Sequence, residues 1–225
     1  MNNKWLIYAS SYDRGLEHLL KIWPEVKQEV PEAQLHIFYG WDLFIKFYHD
    51  NPSSMIWKNK MDEMMKAKGI TEHGRISQSE LVAWYQQCGI WAYPTHFGEI
   101  SCINAMKAQV YGSIPVVINY AALQTTVQHG IKIDGDIYDK ETLEKYKQEL
   151  ISLLKDDKRQ EEIRKPMMEW AKKQFSWENV AKEWSQEFKQ DELKTAVETI
   201  LKFNPKLEKY MPLELQEAYG LTECY

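Results

Sequence analysis

Short apolar runs alternate with longer stretches of helical repeat along the first two thirds of the chain. Residues 4–10, KWLIYAS, form the first such run and predict a strand. Residues 14–30 follow as a helix, with Leu16, Leu19, Leu20, Trp23 and Val26 on one face. A second strand is expected over 35–39, ending at Gly40, then helical stretches over 43–49 and 54–68 and a short strand over 70–74. Residues 78–87 carry a helical pattern, 90–93 a strand pattern, and 114–118 an apolar run typical of a strand buried on both faces, with a short helix over 121–129 completing the alternation. That order of elements predicts an α/β fold with a parallel, doubly wound sheet. Beyond about residue 139 the strand signals stop. Residues 140–155, 158–174, 177–188 and 191–203 are expected to be helices, with Ser176 suited to cap the third, and the tail from 204 to 225, which holds Pro205, Pro212 and Gly220, to form short turns at most. The division expected is one domain over 1–188 and a helical extension over 189–225.

One stretch carries more than fold. YPTHFGEISCINAMKAQVYGSIPVV, residues 93–117, reads as strand end, glycine loop, helix and buried strand. Pro94 stops the strand, Gly98 lets backbone approach a ligand closely, and Ser101 is placed to cap a helix running through Ile103, Ala105, Met106 and Val110 to Gly112. The free N–H groups of that helix would face the loop, and ligands of open parallel sheets sit at such carboxyl ends. The same residues also fit an ordinary strand-loop-helix unit whose loop binds nothing.

Composition narrows the class. The chain has 225 residues, 44% hydrophobic and 27% charged, with a net charge of −5 and both signs interspersed, so it is expected to be a globular protein without the basic stripe of a nucleic-acid binder. No apolar window is long enough for a membrane span and the first residues lack a signal-peptide pattern, which by default points to the cytoplasm. Cys88, Cys102 and Cys224 are odd in number and far apart, which fits reduced thiols; Cys102, beside the loop, reads as a small buried hydrophobe rather than a nucleophile. The tryptophans, among them Trp23, Trp41, Trp57, Trp84, Trp91, Trp170, Trp177 and Trp184, are expected mainly in the core, with a sugar-stacking platform as the lesser alternative.

A second turn, Ser10, Ser11, Tyr12, Asp13, Arg14 and Gly15, follows the first strand at the same kind of sheet end. Hydroxyls, helix-start N–H groups and one guanidinium together suit a diphosphate, although Asp13 as a helix cap and Arg14 as a solvated surface charge fit the local sequence slightly better. The two turns can face one another across a crevice.

Four segments in order, YASSYDRGLEHLLKIWP from Tyr8, HGRISQSEL from His73, the loop segment from Tyr93, and FSWENVAKEW from Phe175, make the chain resemble the C-terminal, nucleotide-sugar-binding domain of group 1 retaining glycosyltransferases of the GT-B type, over roughly residues 5–184. The resemblance implies a Rossmann-like fold and a donor site. Glu99 matches the first of the family's two loop glutamates, which contacts donor-sugar hydroxyls near the reacting centre. Eight positions later stands Lys107 where the family has its second glutamate, the acceptor for ribose hydroxyls; an ammonium cannot accept a hydrogen bond. Arg14, before Gly15, matches the basic residue that stabilises the diphosphate leaving group, while Ser10 and Ser11 stand where many relatives carry a second cation. Gly74, Arg75 and Ile76 match the segment that holds the base, Arg75 either stacking on it or pointing to solvent. Gly98, Ile100, Ser101 and Cys102 match the loop whose backbone approaches sugar and phosphate.

The partners implied are a nucleoside-diphosphate sugar, as substrate rather than cofactor, and a saccharide or other hydroxyl acceptor. No metal is implied: His73, His96 and His129 lack ligand spacing, the family uses basic residues and helix dipoles instead, and His96 is expected to be a surface imidazole. A GT-B enzyme needs two Rossmann-like halves, so the chain is expected to be a donor-binding domain that needs a separate N-terminal acceptor domain for efficient hexose transfer. The alternative is a degenerate, non-catalytic module used in binding or assembly, a reading that Lys107 favours. A phosphate-binding α/β enzyme such as an epimerase fits poorly, because the dinucleotide glycine fingerprint is missing.

Overall fold

A computed structural model describes residues 1–187 and 190–203. The contacts divide the chain into two compact units, one of Met1–Glu169 and one from Trp170 onward.

The first unit is a parallel sheet of six strands in the order β3-β2-β1-β4-β5-β6. Strand β1 (Asn2–Ala9) lies between β2 (Gln34–Phe38) and β4 (Cys88–Tyr93), with Leu6 opposite Leu35 on one side and Ile90 on the other. Strand β3 (Ile70–Glu72) forms one edge; β5 (Ile114–Ile118) and β6 (Ile131–Ile133) complete the other side. Strands β4 and β5 are buried along their whole length, as a parallel sheet covered on both faces requires. The chain moves outward from β1 to β3 and then returns across the sheet to β4. The order therefore reverses between β1 and β4, and a crevice opens at their carboxyl ends.

Helix α1 (Leu16–Glu29) buries the residues its repeat marks, Leu16, Leu19, Leu20, Trp23 and Val26. It packs against α3 (Pro52–Met65) and α7 (Lys140–Lys155), whereas α4 (Gln78–Gln87) packs with α5 (Ile103–Tyr111). Ser77 and Glu80 close a reciprocal capping box on α4. Short helices α2 (Asp42–Tyr48) and α6 (Leu123–Thr126) lie in the β2–β3 and β5–β6 connections; α2 buries none of its residues. Helix α8 (Asp157–Gln174) begins in the first unit, and its Arg164 is buried, donating to the Gly112 carbonyl and to Asn3.

The strands and helices expected from the pattern are present within a few residues of their expected bounds. Strand β6 is an addition. At three residues, IKI between Gly130 and Gly135, it is too short to show alternation, and it exists because the β5 edge pairs with it. In the second unit, α9 (Trp177–Glu187) and α10 (Gln190–Phe203) take the expected positions, and the Ser176 hydroxyl accepts from the Asn179 amide as a cap does. Residue 188 and the tail over 204–225 lie outside the described residues. Two tryptophans depart from the core expectation: Trp177 and Trp184, both on α9, are 67% and 53% exposed. Among the described residues no helix is long and apolar enough to cross a membrane.

Candidate active site

The two expected turns meet at the crevice. Gly15, the N-cap of α1, has φ of 108°, and a Cβ there would come within 2.2 Å of the Pro94 carbonyl oxygen. Only a glycine allows both the positive φ and the direct seating of the β1–α1 turn on the loop after β4. The Tyr8 hydroxyl donates to the Ser11 carbonyl at 2.8 Å, fixing the turn from the sheet side. Asn104, in the first turn of α5, donates through Nδ2 to the Ala9 carbonyl, so the start of α5 is tied to the end of β1.

Arg14 and Glu99 are brought together by this contact although they lie far apart in sequence. Nη1 of Arg14 is 3.3 Å from Oε1 of Glu99, with the carboxylate largely buried and the guanidinium partly exposed. The guanidinium also lies over the Phe97 ring, 3.8 Å from its centroid, an orientation that leaves its outer N–H groups for a second anion. The Tyr93 hydroxyl donates to the same Glu99 oxygen at 2.7 Å and lies 3.3 Å from the Ser10 hydroxyl. Burial is the main reason the Tyr93 phenol is held well above its ordinary range, with the neighbouring carboxylate adding to the effect, so the phenol stays protonated and remains a donor. The result is a connected row, Ser10, Tyr93, Glu99 and Arg14, over the carboxyl ends of β1 and β4. Neither Tyr93 nor Phe97 was singled out in the sequence. Their adjacency to Glu99 within the loop was the available sign.

Other expected residues lie around this row. Ser10 is buried and Ser11 half-buried, in the turn. Gly98 and Ile100 line the exposed loop, and Ile100 is 98% exposed. Gly74, Arg75 and Ile76 lie off the end of β3, near the Gly40 turn: the Gly74 carbonyl accepts from the Tyr39 amide at 2.9 Å. Glu72 accepts there from the Gly74 amide and the Tyr12 hydroxyl, while that hydroxyl accepts from the Gly40 amide. Arg75 is exposed. Ser101 does not cap α5. The N-cap is Cys102, without a side-chain cap bond, because the chain buries the Cys102 thiol there and leaves the Ser101 hydroxyl exposed one position too early. Burial lifts that thiol to about 11, so it is the buried hydrophobe expected and not a thiolate nucleophile. Asp13 likewise caps nothing: it is exposed, and Gly15 occupies the cap position. Lys107, half-buried on α5, donates to Oε1 of Gln78 at the start of α4 and so bridges two helices.

A profile of the family described as "Glycosyl transferases group 1" matches residues 2–170. The chain belongs to the group 1 glycosyltransferases. Solved structures of GT-B glycosyltransferases share its fold at low identity. A GtfA/B complex aligns with a TM-score of 0.64 at 14% identity, over 82% of this chain and 35% of that one. The sucrose-phosphate synthase of Thermosynechococcus elongatus gives 0.62 at 20% identity, over 81% and 44%. The pneumococcal O-GlcNAc transferase GtfA in complex with UDP and GlcNAc gives 0.56 at 18% identity, over 76% and 32%. This group 1 chain therefore spans less than half the length of each of these three relatives. No curated protein matches it by sequence.

Proposed function

We propose that this domain binds the nucleoside-diphosphate sugar of a retaining hexosyl transfer to a saccharide or other hydroxyl acceptor. The observation that carries the reading is the Arg14–Glu99 pair, a cation and a carboxylate 3.3 Å apart at the point where the strand order reverses. Arg14 and the start of α1 would hold the diphosphate. As the bond from the anomeric carbon to phosphate oxygen breaks, its electron pair stays on the diphosphate, and a fixed guanidinium stabilises that growing charge. The acceptor oxygen bonds to the anomeric carbon and its proton is taken up by the departing diphosphate. Glu99, oriented by Tyr93, would accept hydrogen bonds from sugar hydroxyls. Gly74, Arg75 and Ile76 would flank the base, with Ser10, Ser11, Gly98, Ile100, Ser101 and Cys102 around the phosphates and sugar.

Relatives of the same fold give this reading its substrate class: one holds UDP with GlcNAc and another, from Anabaena, UDP-glucose. Because the chain spans only part of such relatives, efficient transfer is taken to need a further, acceptor-binding domain. A second reading, a module that keeps the fold without turnover, draws on Lys107, whose ammonium is engaged with Gln78 where the family carries a ribose-binding carboxylate.

A thermal-shift screen with UDP, GDP, ADP and their sugar conjugates separates the two. A ligand at about 100 times its Kd stabilises the folded state by roughly 2.7 kcal/mol, so the donor nucleotide raises Tm clearly. No response to any of them, in the presence of a protein partner that co-purifies, favours the module without turnover.

A further inference from the structure

Tyr12 stands in the same turn as Arg14, but its side chain points to other partners. It is 2% exposed, and its hydroxyl joins three segments that lie far apart in sequence. That hydroxyl donates to Oε1 of Glu72, at the end of β3, at 2.6 Å, and accepts from the Gly40 amide, in the turn after β2, at 3.0 Å. The same Glu72 oxygen accepts from the Gly74 amide at 3.0 Å. Burial is the main reason the Tyr12 phenol is raised above its ordinary range, with the bond to Glu72 adding to it, so the group stays protonated and keeps donating. The Trp41 ring meets Tyr12 edge-on, with centroids 4.7 Å apart, which fixes the direction of the hydroxyl.

The segment reached in this way has little support from the sheet. Strand β3 is a three-residue edge strand that pairs with β2 alone, and the chain after it rests on a strained turn. Tyr39 has φ of 133°, a conformation rare for a residue with a side chain and kept only where the surroundings hold it. Its amide donates to the Gly74 carbonyl at 2.9 Å, and the next amide, that of Gly40, is the one bound to Tyr12. A Cβ on Gly40 would lie 3.2 Å from the Arg75 nitrogen, so turn and segment are in direct contact. The turn that carries Arg14 has anchors of its own, the Tyr8 bond to Ser11 and the seat of Gly15 on Pro94. Loss of the Tyr12 hydroxyl therefore frees residues 74–76 and not Arg14.

We infer that Tyr12 is a positioning residue that fixes the spacing between the Arg14 turn and residues 74–76, so that the phosphate and base ends of one nucleotide are held together. The inference rests on the donor reading of those two segments. A preset spacing spares the ligand the ordering of a loose segment on binding.

The test is calorimetry on the full chain, comparing inorganic pyrophosphate with UDP, GDP and ADP. At least one nucleoside diphosphate should bind the unaltered chain more tightly than pyrophosphate, and the ratio is the gain from the base end. Tyr12→Phe keeps the ring and should leave pyrophosphate affinity within about twofold while cutting that gain about fivefold or more, the size of one hydrogen bond. Glu72→Ala, at an exposed position, should do the same, whereas Glu72→Gln, which still offers an acceptor oxygen, should keep the gain. An equal fall for pyrophosphate and nucleotide, an unchanged gain in Tyr12→Phe and Glu72→Ala, or a Glu72→Gln that behaves like Glu72→Ala overturns the inference and leaves the donor reading standing. If no nucleoside diphosphate binds the unaltered chain more tightly than pyrophosphate, the donor reading fails and the inference with it.

Discussion

At the residue scale, two glycines that look alike in sequence have different duties. Gly15 and Gly74 both have positive φ, 108° and 66°, but a Cβ on Gly15 strikes the Pro94 carbonyl whereas one on Gly74 meets nothing within 4 Å. Gly74→Ala should cost about 1–2 kcal/mol, the left-handed preference alone. Gly15→Ala should cost more than that, since backbone strain of about 1–3 kcal/mol is joined by a clash that separates the two site loops. Urea titration of both variants checks the order, and nucleotide binding should fall further with Gly15→Ala than with Gly74→Ala. Lys107 raises the other question at this scale. If the missing ribose acceptor weakens nucleotide recognition, Lys107→Glu should make the domain favour a ribonucleotide over its 2′-deoxy analogue by about tenfold, one charged hydrogen bond, where the unaltered chain discriminates little. Equal affinities in the variant would mean that α5 does not face the ribose.

Elements explain what could be read in advance. Strands β1, β2, β4 and β5 and helix α1 were legible because each has a long or strongly periodic apolar pattern, and the meeting of Arg14 with Glu99 followed from two loops at one end of a parallel sheet. What the pattern could not show was decided by contacts between elements. Strand β6 depends on the β5 edge, and the start of α5 depends on burial of Cys102 and on Asn104 reaching Ala9. One cleft is lined by Phe44 of α2 and Trp57 of α3 together with His96 and Tyr138, a juxtaposition with no local signal. The histidines of the buried elements make a further prediction. His18 on α1 is lowered to about 4 by burial, with Lys21 and His96 adding to it, and His36 on β2 to about 4 by burial and by His73, whose Nε2 lies 3.0 Å from its Nδ1. His73 is lowered as well, chiefly by burial. Each therefore binds its proton more readily when unfolded, so its stabilising effect is complete above the ordinary value of 6.5 and is lost as pH falls toward 4. The urea midpoint should drop between pH 7 and 5, above the range where Glu17, held near 2, begins to matter, and His18→Gln should flatten that drop. A midpoint constant over this interval would contradict the assignment.

On the scale of the whole molecule, the fold concentrates chemistry at one sheet end. The reversal of strand order between β1 and β4 opens the crevice, Gly15 closes the two loops onto each other, and Arg14 and Glu99 meet there. The proposed donor role requires that Arg14 and the start of α1 form a diphosphate site. It is tested most directly by calorimetric comparison of the nucleoside diphosphate that gives the largest thermal shift with its monophosphate, in the unaltered chain and in Arg14→Ala. The diphosphate should bind more tightly than the monophosphate, and Arg14→Ala should remove about tenfold or more of diphosphate affinity while barely changing that of the monophosphate, as expected for a charge-assisted hydrogen bond to the outer phosphate. Equal affinities in the unaltered chain, or a diphosphate preference that survives in Arg14→Ala, would contradict it.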